Sequence, residues 1–203
     1  MINLLKVQLV AFINAKKSHL SPFDGSLMSI KDELISDKLF DIEDLKQTIK
    51  QPAGTGTATY DNPNETQILF IDYENFINQL PAEHQKNIKK CDFIAFDQCG
   101  NSFFIFNELS GSSSARNKFS KAREQLHSTL LLFESVPEIK TVLDSYARKL
   151  CIFSNKTKVI SSPNGMAASF ERIKSYLPDP IPHDYQPITK MGFEFIETAI
   201  VAI

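Results

Sequence analysis

Two runs without a polar side chain, Phe93-Ile94-Ala95-Phe96 and Phe103-Phe104-Ile105-Phe106, constrain this chain more than any other feature. A strand with one solvated face alternates apolar and polar residues; continuous runs belong to strands covered on both faces. Gln98-Cys99-Gly100-Asn101 lies between them, and glycine and asparagine tolerate the positive φ of a tight turn. The spacing therefore predicts a buried hairpin, strands over 92–97 and 102–109, inside a layered fold.

Helical periodicity surrounds this pair. Apolar residues in 2–15 recur every three or four positions, which predicts an N-terminal helix. Residues 27–50 carry Leu27, Ile30, Leu34, Ile35, Leu39, Ile42, Leu45 and Ile49 at helical spacing, with a break near Ser36–Asp37. Residues 1–50 thus read as a helical N-terminal part. Residues 51–66, rich in Gly, Thr, Asn and Pro, read as a flexible loop or an irregular hairpin around Asp61-Asn62-Pro63. Ile68 to Ile71 suits a strand or the start of a helix through Phe76 and Leu80.

From Ala115 to Phe133 one apolar stripe (Phe119, Ala122, Leu126, Leu130, Phe133) predicts a long helix, with Ser112 to Ser114 able to cap it. A second helix is expected from Pro137 to Tyr146, a strand over Leu150–Phe153, a turn and short helix over 163–177, and a final strand or short helix in 192–203. This order predicts an α/β fold, with α+β as the neighbouring class: one domain around a central mixed sheet, with a β-hairpin flanked by helices, and residues 67–203 as its core.

Sixteen phenylalanines and no tryptophan make the core a phenylalanine core. The net charge of −2 does not advertise a nucleic-acid binder, but it is unevenly spread: −5 over residues 1–85, +3 over 86–124 and 0 over 125–203. Cys91, Cys99 and Cys151 are odd in number and form no CxxC pair, which argues against a disulfide framework or zinc site and fits a reducing compartment. No apolar run approaches the ~20 residues of a membrane span, and the N-terminus lacks signal-peptide character. A cytoplasmic location is expected. The four histidines have no metal-ligand spacing, and Gly54-Thr55-Gly56 lacks the Gly-Lys-Ser/Thr that completes a phosphate loop.

Asp92 opens the first strand and Glu108 closes the second. With a five-residue turn at Asp97–Asn101, Phe96 would pair with Ser102 and Asp92 with Phe106. Asp92, Phe106 and Glu108 would share a face, with the two acids diagonal at ~7–8 Å. A four-residue turn would put Glu108 on the other face. Two such carboxylates can hold Mg²⁺, which takes oxygen ligands. Strand-end acids are also common as plain solvated groups. Asp72 and Glu74 read as surface charges that could add an acid to the site.

Asp92, then Glu108-Leu109-Ser110, then a helix bearing Lys121-Ala122-x-x-Gln125-Leu126 resembles the PD-(D/E)XK superfamily of restriction-endonuclease-like nucleases. Its pattern is an acid opening one strand, Glu-x-Lys on the next, then a helix. Cys91 stands where that pattern has proline, and Ser110 where it has lysine. The resemblance implies a Mg²⁺-dependent phosphodiesterase acting on DNA or RNA, often as a homodimer. Asp92 and Glu108 would be its metal ligands, and Lys118 or Lys121 would replace the lysine. Gln125 matches a glutamine often found on that helix. By helical angle Lys118 flanks the apolar stripe while Lys121 points further out, which favours Lys118; Lys121 sits in the matching string. The alternative implied by Ser110 is a catalytically degenerate relative acting as a binding or regulatory module. A third reading is an unrelated α/β interaction protein whose two acids are incidental.

Overall fold

The computed structural model describes residues 1–44, 46–110, 115–155 and 180–203. The expected short helix over 163–177 and the Ser112–Ser114 cap lie outside the described residues.

The N-terminal helix α1 runs through Ile2–Leu4, a π-helical stretch Leu5–Leu9, and Val10–Lys16. The strands before the hairpin are β1 (Asp32–Ile35), β2 (Leu39–Ile42), β3 (Lys50–Gln51), β4 (Ala58–Asp61) and β5 (Ile68–Asp72). Two short helices follow, α2 (Tyr73–Asn78) and α3 (Ala82–Gln85). The hairpin is β6 (Phe93–Asp97) and β7 (Phe103–Ser110). Then come α4 (Ala115–Glu134), α5 (Pro137–Asp144) and β8 (Arg148–Asn155). The chain closes with β9 (Ile181–Pro182), α6 (Gln186–Thr189), β10 (Glu194–Glu197) and β11 (Ile200–Ala202).

Seven strands form a mixed sheet in the order β1-β5-β6-β7-β8-β10-β9, and four form a second sheet in the order β11-β4-β2-β3. In the large sheet β5, β6 and β7 are an antiparallel meander. Helices α4 and α5 then carry the chain over one face, so β8 enters parallel to β7. Such a crossover needs a connection of this length, which α4 and α5 supply.

The apolar runs are explained by a layer on each face. Ile94, Phe96, Phe104 and Phe106 pack against the helices with Leu126, Leu130 and Phe133. Phe93, Ala95, Phe103 and Ile105 pack against the small sheet through Phe40, Ile42 and Tyr60. Between the sheets, Asn107 Nδ2 donates to the buried Tyr60 hydroxyl at 2.8 Å.

Two sequence expectations are corrected. The helical reading of 27–50 gives way to β1, β2 and β3. Its apolar residues serve a small strand layer: Phe40 and Ile42 are buried while Leu34 and Leu39 are about half exposed. The spacing of these residues mimicked a helix because short strands and turns alternate there every few residues. The flexible-loop reading of 51–66 also fails. Ala58–Asp61 is β4, paired antiparallel to β2 and parallel to β11. Gly56 donates its N–H to Asp41 Oδ2 at 2.8 Å, and a Cβ there would meet the Ile42 carbonyl at 2.5 Å, so this glycine allows close backbone packing.

The turn differs by one residue. Phe96 pairs with Phe104 and Phe93 with Asn107, so the five-residue turn is Gln98–Ser102. Asp97 stays in the strand, and its Oδ1 accepts from the Cys99 and Gly100 amides, each at 2.9 Å. Extended outward, this register sets Asp92 opposite Glu108 rather than Phe106. The shift is even, so both acids keep the helix-facing side.

Candidate metal centre

Asp92 is the last residue before β6, and its backbone position is held from three sides. Its carbonyl accepts from the Tyr73 and Glu74 amides at 2.9 and 3.1 Å, docking the first turn of α2 on it. On α4, Thr129 Oγ1 accepts from the Cys91 amide at 2.9 Å, and Gln125 Nε2 donates to the Lys90 carbonyl at 2.8 Å. The side chain is tied as well, Oδ2 accepting from the Leu109 amide at 2.6 Å. That bond links Asp92 to the residue after Glu108 and fixes the two strand ends together.

Glu74 reaches the same place from α2. The helix begins there because Asp72 caps it, Oδ1 accepting from the Asn75 amide at 3.0 Å. Lys31 pairs with Asp72 at 3.2 Å. Asp72 is therefore a structural acid, and the Glu74 side chain is left for the site. Asp44 arrives from the turn after β2. The chain there is anchored by Glu33, whose Oε2 accepts from the Ile49 and Lys50 amides at 2.9 and 3.1 Å.

One carboxylate oxygen from each of Asp44, Glu74 and Asp92 lies within 4.8 Å of the others. Glu108 stands beside this group. It is 7% exposed, and its Oε2 is buried without a hydrogen-bond partner among the described residues. Burial pushes the Asp92 carboxyl up to about 7, against the Leu109 amide and with help from Asp44, Glu74 and Asp72. Burial and then the Asp92 and Glu74 charges push Glu108 up to about 10, opposed by Lys121. The Leu109 amide favours the anion on Asp92, so Glu108 faces that charge and keeps its proton.

Of the two candidate lysines, Lys121 is the one whose charge acts on both Glu74 and Glu108. It is exposed on α4, as its helical angle implies. Lys118 is half-buried one turn earlier. Gln125 acts on the backbone before Asp92 rather than on the acids. Ser110, at the position where the nuclease pattern has lysine, is 5% exposed, and its Oγ has no partner among the described residues.

Asp44 is the acid that sequence reasoning missed. Glu43-Asp44 lies in the stretch read as a helix, where acids suggest a solvated face. No sequence signal marked it, because β2, which ends at Ile42 and leaves the following acids at the sheet end, lay in that helical reading. Compared with family models, curated proteins and solved structures, the chain finds no match. Among the described residues, no helix is long and apolar enough to cross a membrane.

Proposed function

We propose that this chain is a restriction-endonuclease-like, Mg²⁺-dependent phosphodiesterase cleaving DNA or RNA. The supporting observation is the convergence of Asp44, Glu74 and Asp92 beside the buried Glu108 Oε2, which has no partner among the described residues. Carboxylates forced together in a half-buried place repel one another, and a hard divalent cation is the group that relieves this. Their oxygens fit such a cation by type and by closeness.

Asp44, Glu74 and Asp92 would hold it. Mg²⁺ so held would lower the pKa of a bound water and offset the charge developing on a scissile phosphate. Lys121 Nζ would orient the attacking water and add positive charge at the rim. Glu108, buried beside these acids, would keep its proton next to the Asp92 anion. Gln125 and Thr129 position Asp92 through the Lys90–Cys91 backbone.

The test is hydrolysis of labelled single-stranded and duplex DNA and RNA with Mg²⁺, Mn²⁺ or EDTA. Divalent-dependent cleavage that disappears in Asp92→Ala, with folding retained, supports the reading; cleavage unchanged in that variant overturns it.

Ser110 supports the second reading, a relative of the same fold acting as a binding or regulatory module. In that case metal binding and substrate binding persist without hydrolysis.

A further inference from the structure

Three surface depressions follow one another through shared or hydrogen-bonded lining residues, the last of them lined by Asp44 and Glu74. The first, of about 260 Å³, lies between α1, the segment after α3, and α4; its walls include Lys16, Lys17 and Lys86. It shares Ile88 with a second, walled by Lys89, Lys90, Lys121 and Glu124. Lys90 Nζ donates to Asn78 Oδ1, and Asn78 belongs to the third depression, which contains Asp44 and Glu74.

We propose that this path is the track of a single-stranded polynucleotide, its phosphates meeting these six lysines and one phosphodiester reaching the acids at the end. The inference rests on the nuclease reading and names the substrate form. Charge is the first argument. A chain of net charge −2 gathers three lysines and no carboxylate among the described residues of the first depression. In the second, Glu124 is the one acid among the described residues, and Lys89 already pairs with it. Lys17 Nζ donates to the Lys86 carbonyl at 3.0 Å, which sets the rim and leaves donors for phosphate oxygens.

The floor is the second argument. Phe12, Ile88 and Leu131 line it, and Leu131 is 46% exposed, a large apolar side chain left open to solvent. Lys16 Nζ lies 5.2 Å from the centre of the Phe12 ring. A cationic groove with an apolar and aromatic floor suits a single strand, whose unpaired bases stack while its phosphates meet lysines. A duplex presents its phosphates outward and has no use for an apolar floor.

Fluorescence anisotropy in EDTA, which blocks cleavage, tests this with a labelled oligothymidylate, its RNA counterpart and a duplex of equal length. The wild type binds single strands more tightly than duplex. Lys16→Glu/Lys17→Glu/Lys86→Glu weakens binding at least ~tenfold and lowers the salt slope by about 2, at ~0.7 per lost phosphate contact. Lys38→Glu/Lys140→Glu/Lys190→Glu, an equal charge change elsewhere, leaves affinity within about twofold of wild type. Equal loss in both variants, no binding in wild type, or preference for duplex overturns the track. Mn²⁺ titration of the same proteins separates the two ideas. Metal bound without oligonucleotide defeats the track alone; oligonucleotide bound without metal keeps the track and defeats the nuclease reading.

Discussion

Asp92 and Glu108 face each other where the β6–β7 ladder opens, and the Leu109 amide grips Asp92 Oδ2 at 2.6 Å. One anion is thereby fixed next to a carboxyl that keeps its proton, with Asp44 and Glu74 adding charge from outside the hairpin. This is a costly arrangement for the metal-free chain.

That cost has a pH signature. In the unfolded chain these carboxyls lose their protons near pH 4. In the fold burial raises Asp92 to about 7 and Glu108 to about 10. The folded protein therefore binds more protons, and their contribution to stability falls as pH rises from about 4 through these values. Thermal melts in EDTA should drop between about pH 5 and pH 8, and Mg²⁺ should shrink the drop. A melting temperature that rises across that window, from this site, would contradict the account.

Placing a cation by mutation should imitate the metal. Ser110→Lys puts an ammonium at a buried position on the face shared by Asp92 and Glu108. Opposite charge close to a carboxyl favours its anion. The EDTA melts of this variant should be flatter with pH than those of wild type, and divalent-dependent cleavage should rise. Equal pH slopes would show that position 110 does not face the acids.

Thr129 should matter beyond its size. Its Oγ1 accepts from the buried Cys91 amide, so Thr129→Val leaves that donor unpaired at a cost of ~1–3 kcal/mol. Urea denaturation measures this. Metal affinity should weaken as well, because the backbone entering Asp92 loses one of its ties.

Tyr60 separates fold from site. Tyr60→Phe removes the hydroxyl that Asn107 Nδ2 meets between the two sheets, and should cost ~1–3 kcal/mol in urea denaturation. Mn²⁺ affinity at the opposite face of the large sheet should stay as in wild type.

The hairpin was legible in sequence because its runs are continuous: Phe93–Phe96 and Phe103–Phe106 could only be strands with cover on both faces. The long helix over 115–134 was legible through Ala122, Leu126, Leu130 and Phe133. The face shared by Asp92 and Glu108 was legible because an even register shift preserves sidedness, although Asp97 moved the turn by one residue. What hid was non-local. Phe40 and Ile42 resemble helix residues until β4 and β11 are present to pair with and extend their sheet. Glu74 and Asp44 are ordinary acids until α2 docks on the Asp92 carbonyl and the turn after β2 reaches the sheet end. Lys121 is exposed, as its helical angle implies, yet its charge acts on both Glu74 and Glu108.

The most direct measurement is calorimetric titration of Mn²⁺, and then Mg²⁺, into the wild type and into Asp92→Asn and Glu74→Gln variants at about pH 7.5, where the Asp92 carboxylate is formed. The account predicts saturable binding in the wild type and loss of most affinity in both variants. Absence of binding in the wild type, or equal binding in all three, would contradict it.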